Sequence, residues 1–296
     1  MNDLVIIEAA LNGVTPKTVN ANVPRTPEEI GADALRCLDA GAAIVHTHNS
    51  DFAVDADRAA DLYLESWRPV LSAHPAAILY PTIGFGTTIV ERYAHHDRLA
   101  SAGAIRMGIF DPGSVNLGAA GGDGLPAGGF VYVNTFDDVR HEATECERLR
   151  LGPSISIFEP GFLRTALAWY RAGKLAAGGF VKLYFGDDRG YFGERDGGAS
   201  FGLPPTRRAL DAYLEMLAGT DLPWAVAVLG GDVVECGLAR LAIERGGHVR
   251  VGLEDYGGQR RPANADLVKE VVSLARELGR PAASIAEAAA ILRLPR

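Results

Sequence analysis

Short apolar, β-branched runs alternate with longer segments of helical period along this chain of 296 residues. The runs are LVIIEAAL, AIVHTH, AAILYPT, AIRMGI, PSISIF, FVKLYF, WAVAVL and HVRVGLED, and each reads as a buried strand. The clearest helix start is TPEEI, where Thr26 caps, Pro27 fills the first turn and Glu29 completes a capping box. DADRAADLYLESW, PPTRRALDAYLEML and NADLVKEVVSLAREL carry the same period. Eight βα units in a chain of this size predict an α/β fold, a single (β/α)8 barrel domain over residues 1–296. The final RPAASIAEAAAILRL reads as a C-terminal helical extension packed beneath or beside the barrel. The Gly-rich residues 116–134 read as a long βα loop after the fourth strand, because neither half of the chain would close a barrel alone. A second irregular stretch, GDDRGYFGERDGGASFG, follows the sixth strand, and such loops are where barrel enzymes keep their binding surfaces.

Strand phase sharpens the picture. In HVRVGLED, His248, Arg250, Gly252 and Glu254 share one face, while Val249, Val251 and Leu253 share the other. The branched face should meet the helices and the polar face should line the barrel. The same parity turns Glu8, Asn12, His46, His48, Tyr80, Thr82, Arg106, Ser154, Ser156 and Lys182 inward. An ordinary barrel core would carry Val, Ile and Leu there, so the pattern marks a site.

In a closed barrel the first strand lies between the second and the eighth, so His46 and His48 can converge with Glu254. Two imidazoles and one carboxylate form a catalytic zinc set with positions left open for water or substrate. The bland alternative is a hydrogen-bonded histidine pair in the core. Arg250, on the face of Glu254, could hold a carboxylate or stabilise an enolate, and Asp255 could act as a general base. Both could instead form a buried ion pair with Glu8 or Glu254. His74, His95, His96 and His141 fall in or near helices and loops and read as surface or capping residues. His248 begins its strand at the end away from the chemistry and reads as structural.

Composition narrows the function classes. A net charge of −8 and a pI near 5.4 disfavour nonspecific binding to nucleic acid or membrane surfaces. No apolar run is long enough to span a bilayer, and acids stand where a signal peptide would be basic, so a cytoplasmic location is expected. Cys37, Cys146 and Cys236 make no CxxC pair and read as structural. GDGLPA fits a dinucleotide fingerprint on paper, but no strand leads into it and Pro126 is misplaced for the following helix. Phosphate contacts would fall to loop amides and to arginines such as Arg189, Arg195, Arg207 and Arg260.

HTH after an apolar strand, PWAVAVLGG and GGHVRVGLED, followed by NADLVKEV and GRPAAS, resemble the β-keto acid cleavage family, known for the 3-keto-5-aminohexanoate cleavage enzymes. The resemblance runs over essentially the whole chain. It implies a zinc-dependent barrel, one ion per subunit and tetrameric assembly, that exchanges acyl groups between a β-keto acid and acetyl-CoA to give acetoacetate and a new acyl-CoA. It also implies His46, His48 and Glu254 as zinc ligands and Arg250, Asp255 and Thr82 as catalytic residues. Asn12, Thr15, Arg106 and Ser156 are the candidate substrate contacts. Members acting on the amino-bearing substrate carry acids where this chain has Thr15 and Ser156, which argues against a cationic substrate. An inward Arg106 would favour an uncharged or anionic substrate end. The basic residue usual after HxH is replaced by Asn49 and Ser50. The rival function is a zinc hydrolase that uses metal-bound water and no CoA.

Overall fold

The computed structural model describes residues 3–51, 53–120, 123, 125–187 and 202–295. Most of the irregular loop after the sixth barrel strand, with Arg189 and Arg195, lies outside the described residues, as does part of GDGLPA. The elements run β1 (Ile7–Ala10), α1 (Pro27–Ala40), β2 (Ile44–Thr47), α2 (Ala56–Ala73), β3 (Ile78–Pro81), α3 (Ile89–Tyr93), α4 (His95–Ser101) and β4 (Met107–Phe110). Then follow β5 (Val115–Ala120), β6 (Pro126–Tyr132), α5 (Phe136–Arg148), β7 (Gly152–Ile157), α6 (Pro160–Arg171) and β8 (Phe180–Gly186). The last are α7 (Arg207–Leu217), β9 (Trp224–Leu229), α8 (Leu238–Glu244), β10 (His248–Val251), α9 (Asn264–Glu277) and α10 (Ile285–Leu292).

Eight strands form one parallel sheet in the order β3-β2-β1-β10-β9-β8-β7-β4. Its two edges approach each other where the Arg106 amide donates to the Leu79 carbonyl at 3.2 Å. The result is a nearly closed (β/α)8 barrel. The capping box forms as the sequence predicts: Thr26 accepts from the Glu29 amide and Glu29 accepts from the Thr26 amide, both at 3.2 Å. Among the described residues, no helix is long and apolar enough to cross a membrane.

Residues 116–134 depart from the loop reading. β5 and β6 pair antiparallel as a hairpin, with Val115 opposite Tyr132 and Leu117 opposite Phe130. The glycines masked two β-prone pieces, one around Val115 and Leu117 and the other FVYV, which is reason enough for a short ladder.

The barrel interior is divided by height. Ile6, Ile44, Ile78, Met107, Ile109, Phe180 and Ala225 form an inner apolar cluster, joined by Ala288, Leu292 and Leu294 of the C-terminal segment. That segment is tied to the strands through Val5, whose amide donates to Pro281 O at 2.9 Å and whose carbonyl accepts from Ala283 at 2.8 Å. The helical extension therefore closes the end where the strands begin. Polar side chains take the other end.

Met107 and Ile109 in that inner cluster correct the phase assigned to β4. Arg106 has the opposite parity and stands before the strand, and its guanidinium donates to the Pro295 carbonyl at 3.2 Å. This places it at the closed end of the barrel, away from the polar end where His46 and Glu254 lie. In AIRMGI one parity carries Ile105, Met107 and Ile109 and the other Arg106 between Ala104 and Gly108, so the rule that polar residues line the barrel turned the wrong face inward. His95 and His96 also differ from expectation: both are buried, stacked on Tyr63 and Tyr93 respectively.

His248, at the closed end, accepts the Ile6 amide on Nδ1 at 2.9 Å, which requires a neutral ring. Burial, aided by Arg280, pushes its pKa down to about 3 from 6.5. The unfolded chain therefore binds a proton that the folded chain refuses, so this contribution is intact above pH 6.5 and is lost on acidification. Denaturant unfolding at pH 7 and pH 5 should show the native chain losing about 2 kcal/mol more than His248→Asn, which keeps an acceptor but does not titrate. Equal losses would remove this account.

Candidate metal centre and active site

Pairing between β1 and its neighbours assembles the site. β1 pairs with β2 on one side, with Ala10 opposite His46, and with β10 on the other, with Glu8 opposite Arg250. Side chains on β2 and β10 thus meet across the width of one strand. Beyond β10, Gly252 has φ 146°, and a β-carbon there would collide with the Ala10 carbonyl oxygen. Only glycine lets the chain turn Glu254 back over β1. The Glu254 amide then donates to Ala10 O at 3.2 Å.

Ligand atoms of His46, His48 and Glu254 all lie within 4.8 Å of one another. His46 Nε2 is 3.5 Å from Glu254 Oε2, and His48 Nε2 is 3.4 Å from Oε1. The other His46 nitrogen, Nδ1, lies 3.3 Å from the Tyr80 carbonyl, an outer contact that fixes the tautomer and leaves Nε2 with its lone pair facing the group. Burial lowers the pKa of His46 well below its ordinary value and so favours the neutral, ligating ring. Glu254 Oε2 is buried and accepts no hydrogen bond.

Asn12 supports the neighbouring ligand. Its carbonyl accepts from the His48 amide at 2.8 Å, and its amide donates to His48 O at 3.0 Å and Pro24 O at 3.2 Å. The side chain is fully buried and its donors are used on backbone, so it positions a ligand and does not reach substrate. Thr15 is likewise occupied, donating to Leu253 O at 2.9 Å beside Glu254. Asn12 and Thr15, the expected substrate contacts of this loop, tie it to the ligands.

Arg250 sits in the barrel among three carboxylates. Its Nη1 is 2.8 Å from Glu8 Oε1, its Nη2 is 2.8 Å from Glu254 Oε1, and its Nε is 2.8 Å from Asp255 Oδ2. The expected ion pair with Glu8 or Glu254 is therefore made with both, and with Asp255 as well. Burial alone would raise the Glu254 pKa, but Arg250 and the imidazoles outweigh it and hold the carboxyl well below the usual range. For Asp255, burial wins over Arg250 and lifts the pKa to about 6. Tyr80 completes the cluster, donating to Glu8 at 2.5 Å and accepting from Lys182 at 2.7 Å.

Thr82 lies just past β3; its carbonyl faces His95 Nε2 at 2.8 Å and its amide donates to the Tyr63 hydroxyl at 3.3 Å. Ser156 lies on β7, opposite Lys182 of β8. Sequence reasoning missed Asp111, just beyond β4, whose Oδ2 accepts from Tyr132 of the hairpin at 2.6 Å. The available signal was an acid at a strand end followed by Pro-Gly, which resembles the LED turn of the last strand.

Four carboxyl groups, Glu8, Asp111, Glu254 and Asp255, thus surround two cations, Lys182 and Arg250. A divalent cation would balance that excess, and the buried Glu254 oxygen without a hydrogen bond beside two imidazoles suits one.

Against known families, residues 4–294 match the model described as beta-keto acid cleavage enzyme. The chain belongs to this family. Among curated members, a 3-oxoadipate:acetyl-CoA acetyltransferase of Cupriavidus necator is 28% identical over all of this chain and 96% of its own. A 3-keto-5-aminohexanoate cleavage enzyme of Acetoanaerobium sticklandii is 28% identical over 99% and 98%. A 3-dehydrocarnitine:acetyl-CoA trimethylamine transferase of Rhizobium meliloti is 27% identical over 94% and 93%. Among solved structures, a complex of ObcA with oxaloacetate superposes with a TM-score of 0.68 at 17% identity, over 93% of this chain and 68% of that one. That likeness concerns the fold alone. For this member of the beta-keto acid cleavage enzyme family, the geometry implies two grades of effect on metal affinity. Zinc titration of metal-free protein should weaken by about 10–100-fold in Asn12→Ala, an outer support, and by more in His46→Ala or His48→Ala. Unchanged affinity in the histidine variants would rule out the grouping as a metal centre.

Proposed function

We propose that this protein transfers acetyl from acetyl-CoA to a β-keto acid and cleaves the product, giving acetoacetate and a new acyl-CoA. Support comes from the convergence of His46, His48 and Glu254 beside the Arg250–Asp255 pair, in a chain whose curated relatives carry acetyl-CoA in their names. The metal is zinc, one ion per subunit, held by His46, His48 and Glu254. When bound, it supplies a Lewis acid that polarises the keto oxygen and lowers the cost of enolate formation.

Asp255 removes the α proton of the keto acid. Burial raises its basicity, and Arg250, bonded to both of its oxygens at 2.8 and 3.1 Å, fixes its orientation while leaving further lone pairs free. The α carbon bonds to the acetyl carbonyl and the C–S bond breaks. The released thiolate adds to the original keto carbonyl, and the bond between that carbon and the α carbon then breaks. The electron pair returns to the α carbon, which takes back the proton from Asp255 and leaves as acetoacetate. Arg250 offsets the charge that moves between Asp255 and the reacting carbons, and the Thr82 hydroxyl donates to the oxygen of the attacked thioester. Ser156 and Asp111 wall the pocket on the side of β4 and β7.

A cytoplasmic homotetramer belongs to the same proposal. The described cysteines form no disulfide, and the exposed Leu125, Phe130, Val131 and Phe136 on and beside the hairpin offer an apolar patch for subunit contact.

Metal-loaded protein given short β-keto acids with acetyl-CoA should release acetoacetate and a new acyl-CoA, and neither co-substrate should turn over alone. Asp255→Asn should lower kcat by about 10²–10⁴-fold, as expected for loss of a general base, with metal content retained. Turnover of the acid by water without acetyl-CoA would instead establish a hydrolase.

A further inference from the structure

The corrected phase of β4 removes Arg106 from the pocket and puts Asp111 on the inward face in its place. Asp111 is held from several sides. Its amide donates to Glu142 Oε2 at 2.8 Å, its carbonyl accepts from Asn134 at 3.2 Å, and its Oδ2 accepts from Tyr132 at 2.6 Å. Oδ1 is buried and makes no hydrogen bond within the fold, while the Ser156 hydroxyl lies close enough to the carboxyl to lower its pKa. The β4–β7 register, Ile109 opposite Ser154, carries forward to set Asp111 beside Ser156. Asp111 and Ser156 keep 6% and 5% of their surface open, comparable to His48 and Glu254 at 8% each, whereas the deeper Glu8 and Ser154 keep none. All four therefore keep a small opening to solvent.

A purely structural aspartate that anchors the hairpin through Tyr132 would need only one oxygen. An unpaired second oxygen, buried beside a reaction centre, costs stability unless a ligand supplies a donor. Among the described residues Asp111 makes no close ion pair; Lys182 and Arg250 pair with Glu8, Glu254 and Asp255 and act on Asp111 only from farther away. Burial and Asp111 itself push the neighbouring Glu142 well above the usual carboxyl range, and burial raises Asp111 as well, against the Tyr132 and Ser156 hydroxyls.

We infer that Asp111 selects the substrate: the β-keto acid carries a hydrogen-bond donor, hydroxyl or ammonium, at the end remote from its carboxylate, and Asp111 Oδ1 accepts from it. This rests on the acetyl transfer proposed above. It reverses the preference drawn from an inward Arg106. A second carboxylate on the substrate would face Asp111 with no free cation in the described wall, whereas a donor would pair with Asp111 Oδ1.

The test is a β-keto acid series of constant chain length ending in methyl, hydroxyl, ammonium or carboxylate, each assayed with acetyl-CoA on metal-loaded protein. The native chain should favour the hydroxyl or ammonium acid over the methyl acid by about 10²-fold or more in kcat/KM, and the carboxylate acid should be poorest. In Asp111→Ala the ratio should fall to within a few-fold of unity. Asp111→Asn keeps an acceptor without charge, so the preference should survive there for an alcohol and vanish for an amine, which identifies the donor. Metal stoichiometry equal to that of the native chain marks the variants as folded. Native preference for the methyl or carboxylate acid, or an unchanged ratio in Asp111→Ala, overturns the assignment. Failure of every acid to turn over overturns the acetyl-transfer reading, and this assignment falls with it.

Discussion

The site depends on a guanidinium held in the interior of the barrel. Arg250 contacts Glu8, Glu254 and Asp255 together, and none of the four is exposed. Charges in such a place survive only as a matched set, because removing one partner leaves another desolvated and unpaired, at a cost of about 3–5 kcal/mol. The arrangement therefore fixes more than stability. It keeps Glu254 ionised and aimed at two imidazoles, and it orients Asp255 next to them.

The barrel can hold this set because its interior is split between two environments. Where the strands begin, Ile6, Ile44, Ile78 and Phe180 pack with Leu292 and Leu294 of the C-terminal segment and exclude water. Where they end, most strands contribute a polar side chain two positions further along, as Glu8 after Ile6, His46 after Ile44, Tyr80 after Ile78 and Lys182 after Phe180. The apolar end provides the core, so the other end is free to carry groups that a core would reject. Tyr80 spans the two, its ring stacked on His46 at 4.4 Å and its hydroxyl between Glu8 and Lys182.

Much of this was legible in the chain because strands have a period of two and a closed barrel has a fixed neighbour order. Those two rules brought His46, His48, Glu254 and Arg250 to one place before any coordinates. They failed at AIRMGI, where the apolar face of Met107 and Ile109 lines the barrel and Arg106 was turned inward in its place, hiding Asp111. They could not show that the donors of Asn12 and Thr15 are occupied by backbone carbonyls, since hydrogen-bond partners twelve to over two hundred residues away leave no local trace. His95 and His96 were misplaced because a short helix tucked under β3 buries side chains that a longer amphipathic helix would expose. The hairpin was concealed by its own glycines.

The claim on which the chemistry stands is that one divalent ion is shared by the end of β2 and the turn beyond β10. Anomalous scattering from crystals soaked in zinc, measured at the metal's absorption edge, addresses it directly. A single strong peak about 2.0–2.2 Å from His46 Nε2, His48 Nε2 and a Glu254 oxygen is the result this account requires. A peak bound elsewhere, with those three side chains unchanged and without metal, would contradict it.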